Sequence, residues 1–515
     1  MNPDFFVYIL WAGLLLGCSI FVHELGHLLG GKMVGIKARV FSLGYGKGFI
    51  KKKWGDTTYQ ITLIPFGGYC AFYGDVPGAT LEGKKFEFFT ASPWRRIVTV
   101  VMGPLFNLFF GIILFFALNL AGYEVETNRI MIPESSSMEL PAQKAGLKSG
   151  DTVVAIDDKE ISSFMEIQSA VVFSDGKPLN FTVARDGKKI NLKVTPVQYS
   201  NGGYYSIGIM PYGTDVLITG LEPSDVAQKA GLQVYDRVKA INGESLKGSG
   251  HFSEILQNNG EVPLVLQIER SGENMDIEIT PRFREQLVLT EFHSTIFPDE
   301  SFDINVSDLD TIKTAIKKGT VSVNGKNVTD FDDFLSIIES LEGGKAVIDT
   351  KGGSYEAVVK YRKSGFIGVA TFAAPEMIPV KHGLAGAFKK SLTDPYDFIV
   401  QNLQGMKMLF TGKISAKDNV SGPVQIAKLA GDTMRYRGVR EYLLFMARIS
   451  IILMIMNLLP IPAVDGSHIV FYLIEAVRGK PLPAGIMEKV QAFGFFLLIG
   501  LGVLVLFNDI SKLVF

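Results

Sequence analysis

Hydrophobic residues gather at the two ends of this sequence, in four runs that are each long enough to cross a bilayer, which needs about 20 largely apolar residues. The runs cover residues 5–22, continuing through His23 to Leu29; 97–122; 442–464, interrupted by Arg448; and 490–507. Between the second and third runs the pattern changes to short stretches of alternating apolar and polar residues separated by turn residues, the period of a half-buried strand. Membrane helices at both ends and a mixed α and β middle are therefore expected.

The middle repeats itself. Ala145-Gly-Leu-Lys-Ser-Gly-Asp-Thr-Val-Val-Ala-Ile156 recurs as Ala230-Gly-Leu-Gln-Val-Tyr-Asp-Arg-Val-Lys-Ala-Ile241. After each copy come a helix-like stretch and two alternating strands: Leu179 to Val183 and Ile190 to Val194 around Asp186-Gly187, then Leu264 to Ile268 and Met275 to Ile279 around Ser271-Gly272. A shorter echo runs from Ala315 through Asn324-Gly325 to Phe331–Leu341 and Ala346–Val359. A fixed internal repeat means stacked or tandem modules of one kind. Residues 380–440 mix Leu384, Phe388, Leu392 and Leu403 with Lys389, Lys390 and Lys407, the pattern of amphipathic helices at a membrane surface or of ordinary packing helices.

Composition sharpens this picture. A hydrophobic share of 47% with mean hydropathy +0.24 puts the chain in a membrane class. The balance of 51 basic against 52 acidic residues supplies no basic surface for nucleic acid. Two cysteines, Cys18 and Cys70, give no disulfide framework. Only Asp4 precedes the first run as a charged residue, so the basic start of a cleavable signal peptide is missing and a retained span is expected. Eleven Lys and Arg lie between runs one and two, from Lys32 to Arg96, which places that segment in the cytoplasm and the long middle outside. Arg437, Arg440 and Arg448, near the outer end of run three, run against that rule.

The first run ends in His23-Glu24-Leu-Gly-His27. Residues four apart share a helix face, so both imidazoles can hold one metal with the Glu24 carboxylate beside it. Two imidazoles and an oxygen suit zinc, and a neighbouring carboxylate can take a proton from a water at the metal. Cys18, five positions before His23, is turned about 140° away. Three ionisable groups inside a span cost several kcal/mol unless they serve a function. A hydrolytic site needs a third protein ligand. The third run ends in Asn457-Leu-Leu-Pro460-Ile-Pro462-Ala-Val-Asp465-Gly466, where two prolines stop the helix and release Asp465, with His468 as the alternative ligand or a supporting neighbour. His251, His293 and His382 lie in the outer part and read as surface residues.

With these motifs the chain resembles the site-2 protease family of intramembrane metalloproteases, in its bacterial type with tandem PDZ domains. That family pairs His-Glu-x-x-His with Asn-x-x-Pro-x-Pro-x-x-Asp-Gly; Val464 stands where Leu is usual. The resemblance implies Zn2+ at His23, His27 and Asp465, catalysis by Glu24, and substrate holding by Asn457 and Pro462. Gly44-Tyr45-Gly46 and Ile64-Pro-Phe-Gly67-Gly68-Tyr69 resemble the family's membrane-associated β-hairpins, with Gly44, Tyr45 and Gly46 expected to touch substrate. Gly103-Pro104 with Asn107, and Ser421-Gly-Pro-Val-Gln425, match as fold features. The repeats resemble PDZ domains, which implies grooves that accept an extended peptide by strand addition.

The expected fold class is a multi-span α-helical membrane protein with membrane-associated β-hairpins and inserted α+β PDZ domains. Its parts are residues 1–122, the first two spans; 123–200 and 201–285, two PDZ domains; 286–378, a degenerate third; 379–440, outer amphipathic helices; and 441–515, the last two spans. Expected partners are the lipid bilayer, single-span membrane protein substrates and peptide ligands in the PDZ grooves, with no nucleic acid. A membrane scaffold with a structural metal site would need no base at Glu24 and prefers four protein ligands. A metal transporter would carry ionisable residues along several spans, whereas runs two and four have none in their cores.

Overall fold

The computed structural model describes residues 3–514 except 77–80, 134–139, 199–202, 271, 295–296, 306–315, 317–319, 351–352, 416–418 and 421. Ser271, Ser421, Ala315 and residues 317–319 of the third repeat therefore lie outside the described residues. Helix α1 (Pro3–Met33) leads into strands β1 (Ala38–Trp54) and β2 (Thr57–Phe72) and then helix α2 (Pro93–Ala121). The repeats carry helices α3 (Phe164–Val172), α4 (Ser249–Asn258) and α5 (Phe331–Glu339). After them come α6 (Leu384–Phe410), α7 (Pro423–Asp432), α8 (Gly438–Leu458), α9 (Asp465–Arg478) and α10 (Ala484–Val514). The chain divides into two compact units, Tyr212–Glu376 and everything else.

Among the described residues, four stretches are long and apolar enough to span a membrane: Phe6–Met33, Pro93–Ala121, Pro423–Leu458 and Ala484–Asp509. The third differs from the expected 442–464. It stops at Leu458 because Pro460 and Pro462 cannot continue a helix, and it starts early because α7 runs into α8 through a π-helical turn at Thr433–Arg437. Residues 423–440, expected among the outer amphipathic helices, thus belong to this stretch. Helix α6 does carry two faces, burying Ala387, Ser391 and Met408 while exposing Phe388, Leu392 and Leu403.

Small residues let the spans approach closely, since lipid offers no hydrophobic drive between helices. A Cβ on Gly26 of α1 would lie 2.2 Å from the Met102 carbonyl oxygen of α2, and one on Gly111 of α2 would lie 2.9 Å from the Ile451 side chain of α8. Near the far end of α10 the buried Asp509 accepts the backbone N–H groups of Gly422, Val424 and Gln425 at 2.9, 3.1 and 3.2 Å, capping α7 from another helix.

Strands β1 and β2 bend back on themselves into a four-stranded sheet. Ser42 pairs with both Gln60 and Tyr69, and Lys53 pairs with Thr58, so residues 38–43 run between 58–61 and 68–72 while 48–54 form the far edge.

The three repeats share one tight turn. Asp157, Asn242 and Asn324 all have positive φ, and their side-chain oxygens accept the backbone N–H of Asn180, Val265 and Val347 at 2.9, 2.8 and 2.7 Å, each 23 residues on. The first two also share an ion pair on a buried carboxylate, Asp151 with Arg185 and Asp236 with Arg270; the sequence of the third has Lys318 and Gly352 at the corresponding positions.

Strand pairing moves the expected boundaries. Met210–Pro211 pair with Ile130–Met131, and Ile207 is buried in the first module's core, so residues 203–211 belong to the first repeat and not the second. Val369–Ala373 pair with Val216–Leu221, so the second module closes only after the third has been traversed. The third module, opened by the strand Arg282–Ser294 and closed by Gly353–Phe366, is inserted into the second, in place of a cut at 285/286 and an end at 378. The closing strands follow equivalent dipeptides, Ile207-Gly208 and Ile367-Gly368, whose isoleucine carbonyls accept Ala142 N–H at 3.0 Å and Ala227 N–H at 2.9 Å. This pairing spans the whole inserted module, so local periodicity carried no sign of it.

Candidate active site

Helix α1 places His23 and His27 on one face, with their Nε2 atoms 3.1 Å apart. Asp465, the first residue of α9, is delivered by the proline loop after α8. Its Oδ2 lies 3.0 Å from His23 Nε2 and 3.4 Å from His27 Nε2. All three ligand atoms fall within 4.8 Å of one another, and the two histidines are only 9% exposed. Gly466 permits the turn, because a Cβ there would lie 2.0 Å from the Leu459 carbonyl oxygen.

The contacts behind the imidazoles fix which nitrogen faces inward. His27 Nδ1 lies 3.0 Å from the Thr99 carbonyl oxygen; a carbonyl only accepts, so Nδ1 carries the proton and Nε2 keeps its lone pair. The Asn107 amide lies 3.3 Å from His23 Nδ1, and its buried Oδ1 has no other partner. With that oxygen turned toward the ring it accepts Nδ1–H and frees His23 Nε2 in the same way. Ser450 of α8 donates to the Asn107 carbonyl at 3.0 Å. Gly103 leaves space for the ring of His27, which would sit 2.3 Å from a Cβ there.

Two bare imidazole nitrogens and a carboxylate oxygen thus converge with no proton to share, and Asp465 Oδ2 is buried without a hydrogen bond of proper geometry. Such a set fits a cation, and three donors leave the fourth position that a hydrolytic zinc site keeps open. Glu24 lies alongside. Strand 68–72 packs here: a Cβ on Gly68 would lie 3.2 Å from Glu24 Cγ.

The remaining expected residues spread around this centre. His468 stays outside the converging set; its Nδ1 is buried without a partner and its Nε2 lies 3.3 Å from Gln491 Nε2. Asn457 is half-buried on the last turn of α8, and Pro462 lies against α10, where a Cβ on Gly494 would come 2.2 Å from Pro462 Cβ. Gly44, Tyr45 and Gly46 form the bend of β1, with Tyr45 half-exposed and stacked 6.1 Å from Tyr69. It is Gly68, not this bend, that packs against Glu24. Cys18 is a free thiol outside the cluster. His251 and His382 are less exposed than expected, each with one buried ring nitrogen, and His293 lies on a strand of the third module.

Sequence reasoning missed the buried pair of Arg96 on α2 with Glu475 on α9, where the guanidinium also lies 4.7 Å over the Tyr472 ring. Arg96 entered only as one basic residue in a count of loop charges, and nothing local marked its partner 379 residues away.

Comparison with known proteins matches residues 11–501 to peptidase family M50. The chain is 27% identical to the protease RseP of Yersinia pestis over 518 residues and 26% identical to the regulator of sigma-E protease RseP of Escherichia coli over 526, each match covering 97% of both chains. A Vibrio cholerae chain that carries the name zinc metalloprotease is 26% identical over 517 residues, again 97% of both. A donor set suited to zinc, four apolar helices and a match across nearly the whole length agree: this multi-pass membrane protein is a zinc metalloprotease and belongs to peptidase family M50.

Proposed function

We propose that the protein cuts peptide bonds inside the transmembrane segments of membrane proteins already trimmed outside the membrane, with His23, His27 and Asp465 as zinc ligands and Glu24 as general base. The observation that carries this reading is the convergence of three lone-pair donors from helices more than 430 residues apart in sequence, beside one further carboxylate. Zinc bound there supplies a Lewis acid that activates water and polarises a carbonyl. Glu24 takes the proton of the attacking water and returns it to the departing amide nitrogen. The absence of a side chain at Gly68 leaves room for the Glu24 side chain beside strand 68–72. The 68–72 strand lies at an edge of this sheet, where an unwound substrate segment can add as a further strand. Asn457, Pro462 and the Gly44–Tyr45–Gly46 bend are the other groups assigned to substrate.

The basic segment between the first two spans supports an orientation in the inner membrane of a bacterium with the modules outside the cytoplasm. In this reading the modules are PDZ domains that exclude bulky outer domains from the site or take peptide ends in their grooves. The name of the E. coli relative, regulator of sigma-E protease, favours anti-sigma factors as one substrate class, with remnant signal peptides as the other. Purified protein incubated with a panel of single-span substrates, with and without a chelator, tests the activity. Chelator-sensitive cleavage within the span is expected, and cleavage only outside it refutes the reading.

A further inference from the structure

We infer that Gln491, on the last span, is a positioning residue that holds the loop carrying Asp465 in the shape the metal requires; this rests on the proposed role of Asp465 as a ligand. The loop is an unusual piece of backbone. Ala463 has φ +74°, a region that an L side chain enters at a cost. At membrane depth its N–H needs an acceptor from the protein. Gln491 Oε1 accepts that N–H at 2.8 Å. The same amide donates through Nε2 to Ser467 Oγ at 3.0 Å, and Ser467 Oγ donates in turn to the Val464 carbonyl at 2.8 Å. One side chain therefore ties together the residue two before Asp465 and the residue two after it.

Gln491 sits on an otherwise apolar span, where an amide is costly unless it is used. Phe493, Phe496 and Leu504 of the same helix are exposed at 65, 70 and 68%, the signature of a lipid-facing span. One turn beyond Gln491, Gly494 brings the helix backbone against Pro462, where a Cβ would lie 2.4 Å from the Pro462 carbonyl oxygen. Backbone contact at Pro462 and the amide at Ala463 and Ser467 thus fix the loop from one side, while Asp465 faces the histidines on the other. An apolar side chain of the same size at 491 keeps the packing and leaves the Ala463 N–H unpaired.

The test compares full-length Gln491→Leu, Gln491→Glu, Gln491→Leu with Ala463→Gly, and Asp465→Ala, in lipid nanodiscs. Two readouts besides turnover are used: zinc retained against a competing chelator, and the visible spectrum of the cobalt-substituted protein. Gln491→Leu is expected to weaken zinc retention about 10- to 100-fold, the usual effect of losing a group that orients a ligand, and to alter the cobalt spectrum. The kcat should fall while KM changes little. Gln491→Glu keeps an acceptor for Ala463 and should stay nearer wild type. Ala463→Gly should restore several-fold of the loss in Gln491→Leu, because glycine adopts positive φ without strain. Wild-type zinc retention and spectrum in Gln491→Leu, with zinc lost in Asp465→Ala, overturn the inference alone. Zinc kept in Asp465→Ala overturns the ligand assignment and the inference with it. Equal losses in Gln491→Leu and Gln491→Glu with no recovery by Ala463→Gly mean that the bond to Ala463 does not hold the loop, which also overturns it.

Discussion

Two buried aspartates and a third, Asp465, that buries one carboxylate oxygen make opposite use of burial. Asp151 and Asp236, in the first two repeat modules, are 1% exposed, and each is fully answered: Arg185 and Arg270 grip both carboxylate oxygens at 2.6–2.7 Å, and the N–H of Lys148 or Gln233 adds a third bond at 2.8 Å. Asp465 meets only two imidazole nitrogens whose lone pairs point at it, and its Oδ2 has no hydrogen bond. A carboxylate held by donors is a fixed part of a module's frame. One held against acceptors is stable only when a cation sits among them, and that cation brings the chemistry.

The largest effects should fall where the groups are left unanswered. Glu24→Gln should lower cleavage by about 10²–10⁴-fold, the range for losing a general acid–base, while zinc stoichiometry stays at the wild-type value. Asp465→Ala should instead lose the zinc itself. A Glu24→Gln protein that still cuts at near wild-type rate would break the comparison at its catalytic end. Asn107→Leu is next: it frees the His23 ring to choose its tautomer, and zinc affinity should drop by about 10-fold or more in a chelator competition.

By contrast, Asp236→Ala should leave zinc retention untouched. It removes charge-assisted hydrogen bonds from the second module and should destabilise that module by about 2–3 kcal/mol, read as faster hydrogen exchange across residues 216–279. If exchange there is unchanged, the frame role of these pairs fails.

The sequence made the centre of the site legible for a physical reason: helix geometry alone puts His23 and His27 together, and prolines alone end the helix before Asp465. Orphaned ionisable groups in an apolar run stand out against their surroundings. The supports stood out less. Asn107 entered as a fold feature of the family and not as a partner of His23, and Gln491 and the Arg96–Glu475 pair are ordinary polar residues whose meaning lies in partners 28 and 379 positions away. The modules followed the same rule. Their local strand and turn pattern was readable, including the Asn324 turn of the third copy, whereas the insertion of one module within another depends on Val369–Ala373 finding Val216–Leu221 across the inserted segment.

The smallest expected effect concerns the place where that insertion begins. Asp225, which caps a short helical turn of the second module, takes both Arg282 nitrogens at 2.9 and 2.8 Å, and Arg282 opens the third module. Asp225 also closes on the insertion's exit, since a Cβ on Gly368 would lie 2.6 Å from its Oδ2. The Arg282 guanidinium holds the Asp225 carboxyl down at about 2, against an ordinary 3.8. A depressed folded-state pKa gives stability that is complete above the ordinary value and is lost as the pH falls toward the folded one. Junction stability should therefore be constant near neutrality and decline between about pH 4 and pH 2. Asp225→Asn cannot titrate and should already be weakened at neutral pH, with no further loss from this group in acid. Arg282 is half-exposed, so solvent screens the pair and the difference should be modest. Pepsin nicking within residues 282–366, compared between the two proteins at about pH 4.5 and pH 2.5, reads it directly. The gap between wild type and Asp225→Asn should narrow at the lower pH; a constant gap would mean that the pair does not pin the junction.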